Sequence, residues 1–438
     1  MEQNMLNISE QSIKKNIGKV IVGYDLFKNF AQISYFGAKA EEPDTVSAVT
    51  GTSMFNIPLV LAKRPGVGQW FYGREALRYI EDGGIEVSDL LTKAVRGEEV
   101  LVEDDTYDPV ALLTLFVKRS LSLLSMCVST KDINAFMFTV EELTPRMVEV
   151  LGRVAAGLDL KCEIITYQTH LESFYHYMIH QPQELWQYEV LALEFNDILR
   201  AKRFSTTKNT VPEVVLIETK EFDEFCAVTW EEDELAKKAQ MERLDTDFEK
   251  IAEELLSGND ITTVYLLGDM FKEDWAKESL KLLCKNRRVF QGNNLYSKGA
   301  CYAMADKLEP SEVSKAHVYL GENKLKANIG LQALRRGRES YFAILDAGVN
   351  WFEANADFEI ILDEGNEIDF VVTSLTGGRI IEKPIVLDGI PKRPRGTTRL
   401  RIHIEMSSVN NMEIEIEDLG FGEIVKSSGR AWTQSITI

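Results

Sequence analysis

The chain has 438 residues, of which 45% are apolar and 27% are charged, a composition typical of a soluble globular protein with two or three domains. Acidic residues (69) outnumber basic ones (49), and the net charge of -20 disfavours a nucleic-acid partner, which requires positive surfaces. No apolar run approaches the roughly 20 residues of a membrane helix, and the N-terminus carries no signal-like pattern. The five cysteines are scattered, which disfavours a disulfide framework or a metal site. We therefore expect a cytoplasmic protein with no membrane partner and no metal.

Strand and helix patterns alternate through the first part of the chain. Short β-branched and apolar runs predict strands at 19–24, 133–139, 188–195 and 262–268. Amphipathic patterns predict helices at 108–124, after the capping pair Thr144 and Pro145, and at 245–256. This alternation predicts an α/β domain over residues 1–310.

The pattern changes after residue 323. Helical periods end, and short alternating strands separated by turn residues continue to the last residue. That pattern is typical of a β-sandwich, which we predict over residues 324–438. The stretch 311–323 is charged, has no strong period and is the predicted linker.

The most distinctive stretch begins at Leu387 and reads L-D-G-I-P-K-R-P-R-G. Two alternating strands follow around a turn at Asn410 and Asn411, and the chain closes with Q-S-I-T-I over 434–438. This order resembles the end of the substrate-binding β-domain of the DnaK-type (seventy-kilodalton heat-shock) chaperones, which have a G-I-P-P-A-P-R-G segment and a closing K-I-T-I strand. The resemblance implies a chaperone-type β-sandwich whose partner is a polypeptide client or another protein.

Residues 327–334 (A-N-I-G-L-Q-A-L) resemble the segment that borders the peptide groove of these chaperones. By that resemblance the peptide-binding residues would be Leu331, Leu334, Ile360 and Phe370. The alternation by itself also fits ordinary inward-facing residues of a sandwich. The helical lid of the family would follow Ile438, and without a lid we expect modest affinity and rapid release.

The first part of the chain is similar to the ATPase domain of the same chaperones, which has the actin fold. Residues 22–29 (V-G-Y-D-L-F-K-N) resemble its first phosphate loop, and 265–269 (Y-L-L-G-D) resemble its adenosine loop. The resemblance implies an actin-like, two-lobed ATPase-type domain with a site for ATP and Mg²⁺. The cofactor-binding residues would then be Gly23, Asp25, Lys28, Lys93, Glu194 and Gly268.

Both phosphate loops depart from the family pattern. Phe27 stands where the first loop has a glycine, and residues 194–199 (E-F-N-D-I-L) lack the glycines of the second. Phosphate binding needs backbone N–H groups close to the anion, which glycine permits and larger side chains obstruct. We therefore expect a lidless DnaK-like protein that works as a binding or scaffolding module and hydrolyses little or no ATP. Whether it binds a cofactor stays open, with weak binding of ATP and Mg²⁺ as the alternative to none.

Other interpretations of the single residues stay open. An active ATPase could hold Mg²⁺ with Asp25 and phosphate with Lys28 or Lys93. Alternatively, Asp25 and Glu194 are strand-end acids and Lys93 is a solvated helix residue. His176 and His180 are spaced like a metal pair, but the sequence shows no clear acidic third ligand, so we predict a packing role.

Overall fold

The computed structural model describes residues 20–438, apart from 38, 208–210, 293, 336–337 and 375–379. The chain forms two compact units, of which the first ends at Tyr319 and the second begins at Leu320. The first unit combines helices and sheets, whereas the described part of the second consists of strands and one short 3₁₀ turn.

A six-stranded sheet organises the beginning of the first unit. Strands β1 (Val20–Leu26), β2 (Phe30–Phe36) and β3 (Asp44–Thr45) are antiparallel neighbours, and β4 (Ile57–Pro58) also pairs with β2. On the other side of β1, β10 (Ile133–Val140) and β11 (Ile164–Thr169) add two parallel strands. The spatial order is β11-β10-β1-β2-β3.

A second six-stranded sheet repeats this topology. Three antiparallel strands, β12 (Glu189–Phe195), β13 (Ile198–Thr207) and β14 (Glu213–Cys226), come first. Strands β15 (Ile261–Leu267) and β16 (Arg288–Gln291) then lie parallel on the far side of β12. The order is β16-β15-β12-β13-β14, so the two sheets have matching strand orders.

Short strands and helices fill the connections of the first unit. The short strands are β5 (Leu61–Lys63), β6 (Trp70–Tyr72), β7 (Ile85–Val87), β8 (Val100–Val102) and β9 (Asp105–Tyr107). The described α-helices are α1 (Gly73–Glu81), α2 (Leu90–Arg96), α3 (Pro109–Ser120), α4 (Pro145–Leu158), α5 (His170–Ile179), α6 (Glu234–Leu256), α7 (Lys277–Leu283), α8 (Leu295–Leu308) and α9 (Glu312–Ala316).

Helix α5 starts at the edge of the first sheet, because its N-cap is the last residue of β11. The Thr169 hydroxyl accepts a hydrogen bond from the Glu172 backbone N–H at 3.2 Å, which satisfies one of the free donors of the first turn. His170 is therefore the first helical residue and lies where the strand ends.

The segment 311–323 is more ordered than the linker predicted from the sequence. Ser311 caps α9, and the strand β17 (His317–Tyr319) pairs in parallel with β14 of the second sheet. The boundary between the two units falls inside this segment, after Tyr319.

One described helical stretch, Pro109–Met126, is long and apolar enough to span a membrane by length and composition alone. Half of this stretch is buried inside the protein.

The second unit contains two four-stranded antiparallel sheets. The first sandwich sheet has the order β19-β18-β21-β22, and the second has the order β20-β23-β24-β25. The strands are β18 (Ala327–Arg335), β19 (Arg338–Leu345), β20 (Asn355–Leu362), β21 (Glu367–Ser374), β22 (Ile380–Val386), β23 (Thr398–Ser408), β24 (Asn411–Gly420) and β25 (Ala431–Thr437). Alternate residues of β23 and β24, such as Ile402, Ile404 and Ile414, are fully buried, as a sandwich core requires.

A buried ion pair anchors the P-K-R-P-R segment to β24. The guanidinium of Arg393 donates to both carboxylate oxygens of Asp418, at 2.6 and 2.7 Å, and both side chains are buried. Asp418 also accepts from the backbone N–H groups of Gly420 and Ser428. Burial alone would raise the pKa of Asp418, but the Arg393 fork and these N–H groups hold the pKa well below its usual range.

We expect Arg393→Met to lower the free energy of unfolding of the second unit by about 3–5 kcal/mol, because it leaves the Asp418 charge buried without its partner. Hydrogen exchange of the β24 amides, read by mass spectrometry on the full chain, measures the loss. The matched control is Arg395→Met, which removes an exposed pair with Asp363 and should cost less than about 1 kcal/mol. Equal losses in the two variants would contradict the assignment.

A ladder of charged residues covers the outer face of the second sandwich sheet. Arg401 lies opposite Glu359 on one side and Glu417 on the other, and His403 is placed in the same way between Asp357 and Glu415. The hydrogen bond from His403 Nδ1 to Asp357 (2.9 Å) raises the pKa of the imidazole above its usual value of 6.5.

The raised pKa makes this face sensitive to pH. Because the folded state favours protonated His403, its stabilising contribution is complete below pH 6.5 and is lost as the pH rises through the folded pKa. We expect Asp357→Asn to lower the His403 pKa, measured by NMR titration of the imidazole. An unchanged His403 pKa in this variant would show that Asp357 does not raise it.

Candidate functional site

Three of the residues predicted to bind the cofactor meet in one cavity of the first unit. Asp25 lies near the end of β1, Glu194 near the end of β12, and Gly268 directly after β15. All three line the cavity, together with Tyr296 at the start of α8. The carboxyl ends of strands from both sheets therefore converge here, at the kind of edge where α/β proteins bind ligands.

The other three predicted residues do not join this cavity. Lys28 is exposed in the β1–β2 turn, and Lys93 donates from α2 to the Ser88 carbonyl oxygen at 2.8 Å. Gly23 is packed against α8, where a Cβ would overlap with the Ser297 carbonyl oxygen. The structure therefore does not bring these three residues to the cavity, and helix–strand packing accounts for Gly23.

Gly268 is also explained by packing. Its φ of +99° is rarely accessible to residues with a side chain, and a Cβ would overlap with the backbone of Phe195. The glycine thus lets the chain turn closely around the end of β12, and no anion is needed to account for it.

Asp25 is occupied by a protein partner. His170 Nε2 lies 2.7 Å from Asp25 Oδ1, and both side chains are almost completely buried. The imidazole also stacks on Phe27 (centroids 5.7 Å apart, 17° between planes) and on Tyr296 (4.2 Å, 3°). The carboxylate predicted to contact a magnesium phosphate is thus bonded to an imidazole inside an aromatic stack.

Glu194 is paired as well. Its Oε2 accepts from Lys202 Nζ and from the Tyr296 hydroxyl, the latter at 2.8 Å, while Lys202 also donates to the tyrosine oxygen at 2.6 Å. Burial would raise the pKa of Glu194, but the Lys202 ammonium outweighs it and lowers the pKa. Burial and the Glu194 charge both raise the pKa of Tyr296, which keeps its proton for this hydrogen bond.

We call these six side chains the cleft cluster: Asp25, Phe27, His170, Glu194, Lys202 and Tyr296. A chain of hydrogen bonds closes the cavity beside it. Gln32 donates to Asn56 (2.6 Å), Asn56 donates to Asp269 (3.2 Å), and the Asp269 backbone N–H donates to Asn196 (3.1 Å). Because Gln32 lies on β2 and Asn196 follows β12, these bonds join the two sheets.

The space that remains in the cavity is about 40 Å³. That volume holds roughly three water molecules, whereas pockets for drug-sized ligands measure about 300–1,000 Å³. Among the described residues, no group of three or more His, Cys, Asp or Glu side chains is arranged to hold a metal ion.

Sequence reasoning missed His170, Lys202 and Tyr296. Two signals were available. Thr169 and Glu172 form a capping-box spacing that starts a helix at the end of β11 and places His170 at the sheet edge. Lys202 shares a face of β13 with the fully buried Phe204, a position at which a lysine requires an acidic partner.

The four residues predicted to bind peptide do not lie together, because they belong to two different sheets of the second unit. Leu331 and Phe370 face each other in the register of β18 and β21, and both are buried in the core. Ile360 is half-buried on the other sheet, opposite Leu400. Only Leu334, 64% exposed, is open to a ligand. The structure therefore does not bring the four predicted residues together on one open surface.

Exposed apolar residues lie on the outer face of the first sandwich sheet, among the exposed acids Glu367, Asp369 and Glu382. Strand register and alternation place Leu334, Tyr341, Ile380 and Val386 on this face, and each is more than a third exposed. We call them the outer apolar face.

We expect Lys202→Met to lower the free energy of unfolding of the first unit by about 3–5 kcal/mol, because Glu194 would stay buried without a cation. Adding Glu194→Gln should recover most of the loss, since the amide oxygen still accepts from Tyr296. Hydrogen exchange at β12 reports both effects. Lys220→Met, which removes an exposed pair with Glu254, is the matched control and should cost at most about 1 kcal/mol. If Lys202→Met alone lowers the free energy of unfolding no more than Lys220→Met does, the pair of Glu194 and Lys202 is not buried as described.

Comparisons with known proteins agree with the division into two units. No curated protein matches the chain. Residues 324–438 match a family described as "Domain of unknown function (DUF8552)". Residues 42–322, more than half of the chain, match the family described as "Family of unknown function (DUF5716) C-terminal". The chain therefore belongs to the DUF5716 C-terminal family.

Proposed function

We propose that this protein is a DnaK-like binding or scaffolding module with an actin-like first unit that hydrolyses little or no ATP. The observation that carries the proposal is the cleft cluster. Its two carboxylates lie where the resemblance expects a nucleotide, and both are bonded to protein side chains.

The repeated sheet topology supports the actin-like part of the proposal. Each sheet is built from three antiparallel strands followed by two parallel ones, and the strand ends of both sheets meet at one cavity. The resemblance implied two such αβ halves in one ATPase-type domain.

The contents of that cavity disfavour an active ATPase. A transferred phosphoryl group needs cationic or N–H donors around it, with its metal held by free oxygens. Here Asp25 is bonded to His170, Lys202 is bonded to Glu194, and the Phe27 ring stacks on the imidazole. A nucleotide would have to displace all three contacts and separate buried charges, at a cost of several kcal/mol for each ion.

The outer apolar face supports a protein-binding role for the second unit. It lies on the sheet whose edge strands are β19 and β22, and a sheet edge is where an extended peptide can add as a further strand. A polypeptide client or partner laid there would form main-chain hydrogen bonds and cover Leu334 and Tyr341. This location differs from the groove lined by Leu331, Leu334, Ile360 and Phe370 that the resemblance implied.

For the nucleotide cleft, we expect no phosphate release above background when the full chain is incubated with magnesium-ATP, because the cleft cluster fills the site. The control is Asp25→Asn, which should behave in the same way. Steady release by the unmodified protein that disappears in Asp25→Asn would establish the alternative, an active ATPase with unusual phosphate-loop residues.

For the second unit, we expect the full chain to bind a fluorescent, extended apolar peptide and Leu334→Asp to weaken this binding. Fluorescence anisotropy measures the affinity. The matched control is Ile361→Asp, an equally drastic change at a residue 52% exposed on the outer face of the other sandwich sheet. The peptide-binding role is refuted if the unmodified chain binds no peptide, or if both variants weaken binding equally.

A further inference from the structure

A second cavity, of about 200 Å³, lies beside the closed cleft in the first unit. It shares Asn56 and Lys272 with the cavity at the cleft cluster and opens next to α1. Its remaining wall consists of a loop that leads into β4 and one side chain from the first turn of α1. These residues are Ser53, Met54, Phe55 and Arg74.

The charge of this second cavity is the reverse of the charge of the chain. Two cations, Arg74 and Lys272, line it, whereas the carboxylate bonded to its lining residues Asn56 and Lys272 is that of Asp269, outside the lining. In the described part of the chain, no carboxylate lies within ion-pair distance of Arg74. Lys272 pairs with Asp269 at 2.5 Å, but this pair is exposed, so exchanging it for another anion costs little.

The wall beside these cations is apolar and ordered. Met54 is 46% exposed and Phe55 is half-buried, so both offer apolar surface to a ligand. The loop is held by hydrogen bonds from the Ala48 N–H to the Met54 carbonyl (2.6 Å) and from the Met54 N–H to the Thr52 hydroxyl (3.3 Å). A ligand would therefore meet a surface that needs little further ordering.

We propose that this cavity binds a small organic anion, a phosphate or carboxylate carried on an apolar body. Arg74 presents a guanidinium fork suited to two anion oxygens, and Lys272 supplies a second charge from the segment that follows β15. Met54 and Phe55 cover the apolar body. The volume is too small for a whole nucleotide, so the ligand proposed for this cavity is a smaller anion.

Such a ligand would also connect the two halves of the first unit. Arg74 lies in the connection between β4 and β10 of the first sheet, and Lys272 follows β15 of the second sheet. An anion held by both adds a bond across the closed cleft. Any ligand that binds only the folded state raises the unfolding temperature by mass action.

The test is calorimetric titration of the full chain with phenyl phosphate, in the absence of Mg²⁺ and nucleotide. We expect saturable binding that Arg74→Gln and Lys272→Gln each weaken about tenfold, the usual effect of losing one charge-assisted hydrogen bond. The matched control is Arg78→Gln, which removes an equal charge from an exposed position of α1 outside the cavity and should leave the affinity unchanged. Inorganic phosphate should bind more weakly than phenyl phosphate, because it leaves the apolar wall uncovered.

The absence of binding at millimolar phenyl phosphate would overturn the proposal. Equal weakening by Arg74→Gln and Arg78→Gln would overturn it too, because the attraction would then be general electrostatics. Loss of binding in Asp25→Asn with Arg74→Gln unaffected would place the ligand at the cleft cluster and refute this site. Each variant is checked for an unfolding temperature equal to that of the unmodified chain, since all three substituted cations are exposed.

Discussion

The first unit is organised around two carboxylates that are out of water. Asp25 and Glu194 belong to different sheets, and removing either charge from solvent costs several kcal/mol unless a partner compensates for it. His170 and Lys202 are those partners, and Tyr296 links them by stacking on the imidazole while it donates to Glu194. Opening the cleft would break this linkage, so compensation of the buried charges also keeps the two halves together.

The same pairing of the buried carboxylates is our reason for proposing that a domain with an ATPase-like arrangement of strands hydrolyses little or no ATP. A nucleotide cleft must stay hydrated and open until its ligand arrives, with free carboxylates and free backbone N–H groups. In this cleft both carboxylates are bonded to protein side chains, and the cavity beside them has a volume of only about 40 Å³. We therefore propose that binding takes place elsewhere, at the outer apolar face of the second unit and at the cationic cavity beside α1.

Local patterns predicted much of the fold. The strand expected at 133–139 is Ile133–Val140, and the helix expected after Thr144 and Pro145 begins at Pro145. The helix expected at 245–256 begins earlier, at Glu234. The sequence did not reveal this start because the first three turns are rich in charged residues and carry no apolar stripe. The sequence also did not predict the two elements of segment 311–323, because α9 and β17 are too short to show a period.

The candidate site was only partly predictable. Asp25, Glu194 and Gly268 were expected from the resemblance to the chaperone phosphate and adenosine loops, and each lies near or directly after the carboxyl end of a strand. Their partners were not found, since the bond from His170 to Asp25 spans 145 residues and the bond from Tyr296 to Glu194 spans 102. No local pattern encodes such pairs. Leu331 and Phe370, which were predicted to bind peptide, are buried in the core. Alternation shows which residues of a strand share a face, but it does not show which face of the sheet is covered.

The central claim is that protein side chains fill the cleft of the first unit and leave no room for a nucleotide. Hydrogen–deuterium exchange of the full chain, with and without saturating magnesium-ATP, tests it most directly. The account predicts identical exchange at the β1–β2 turn, at the end of β12 and at the start of α8. Slower exchange at these three places when ATP is present would show that the nucleotide enters the cleft, and would contradict the account.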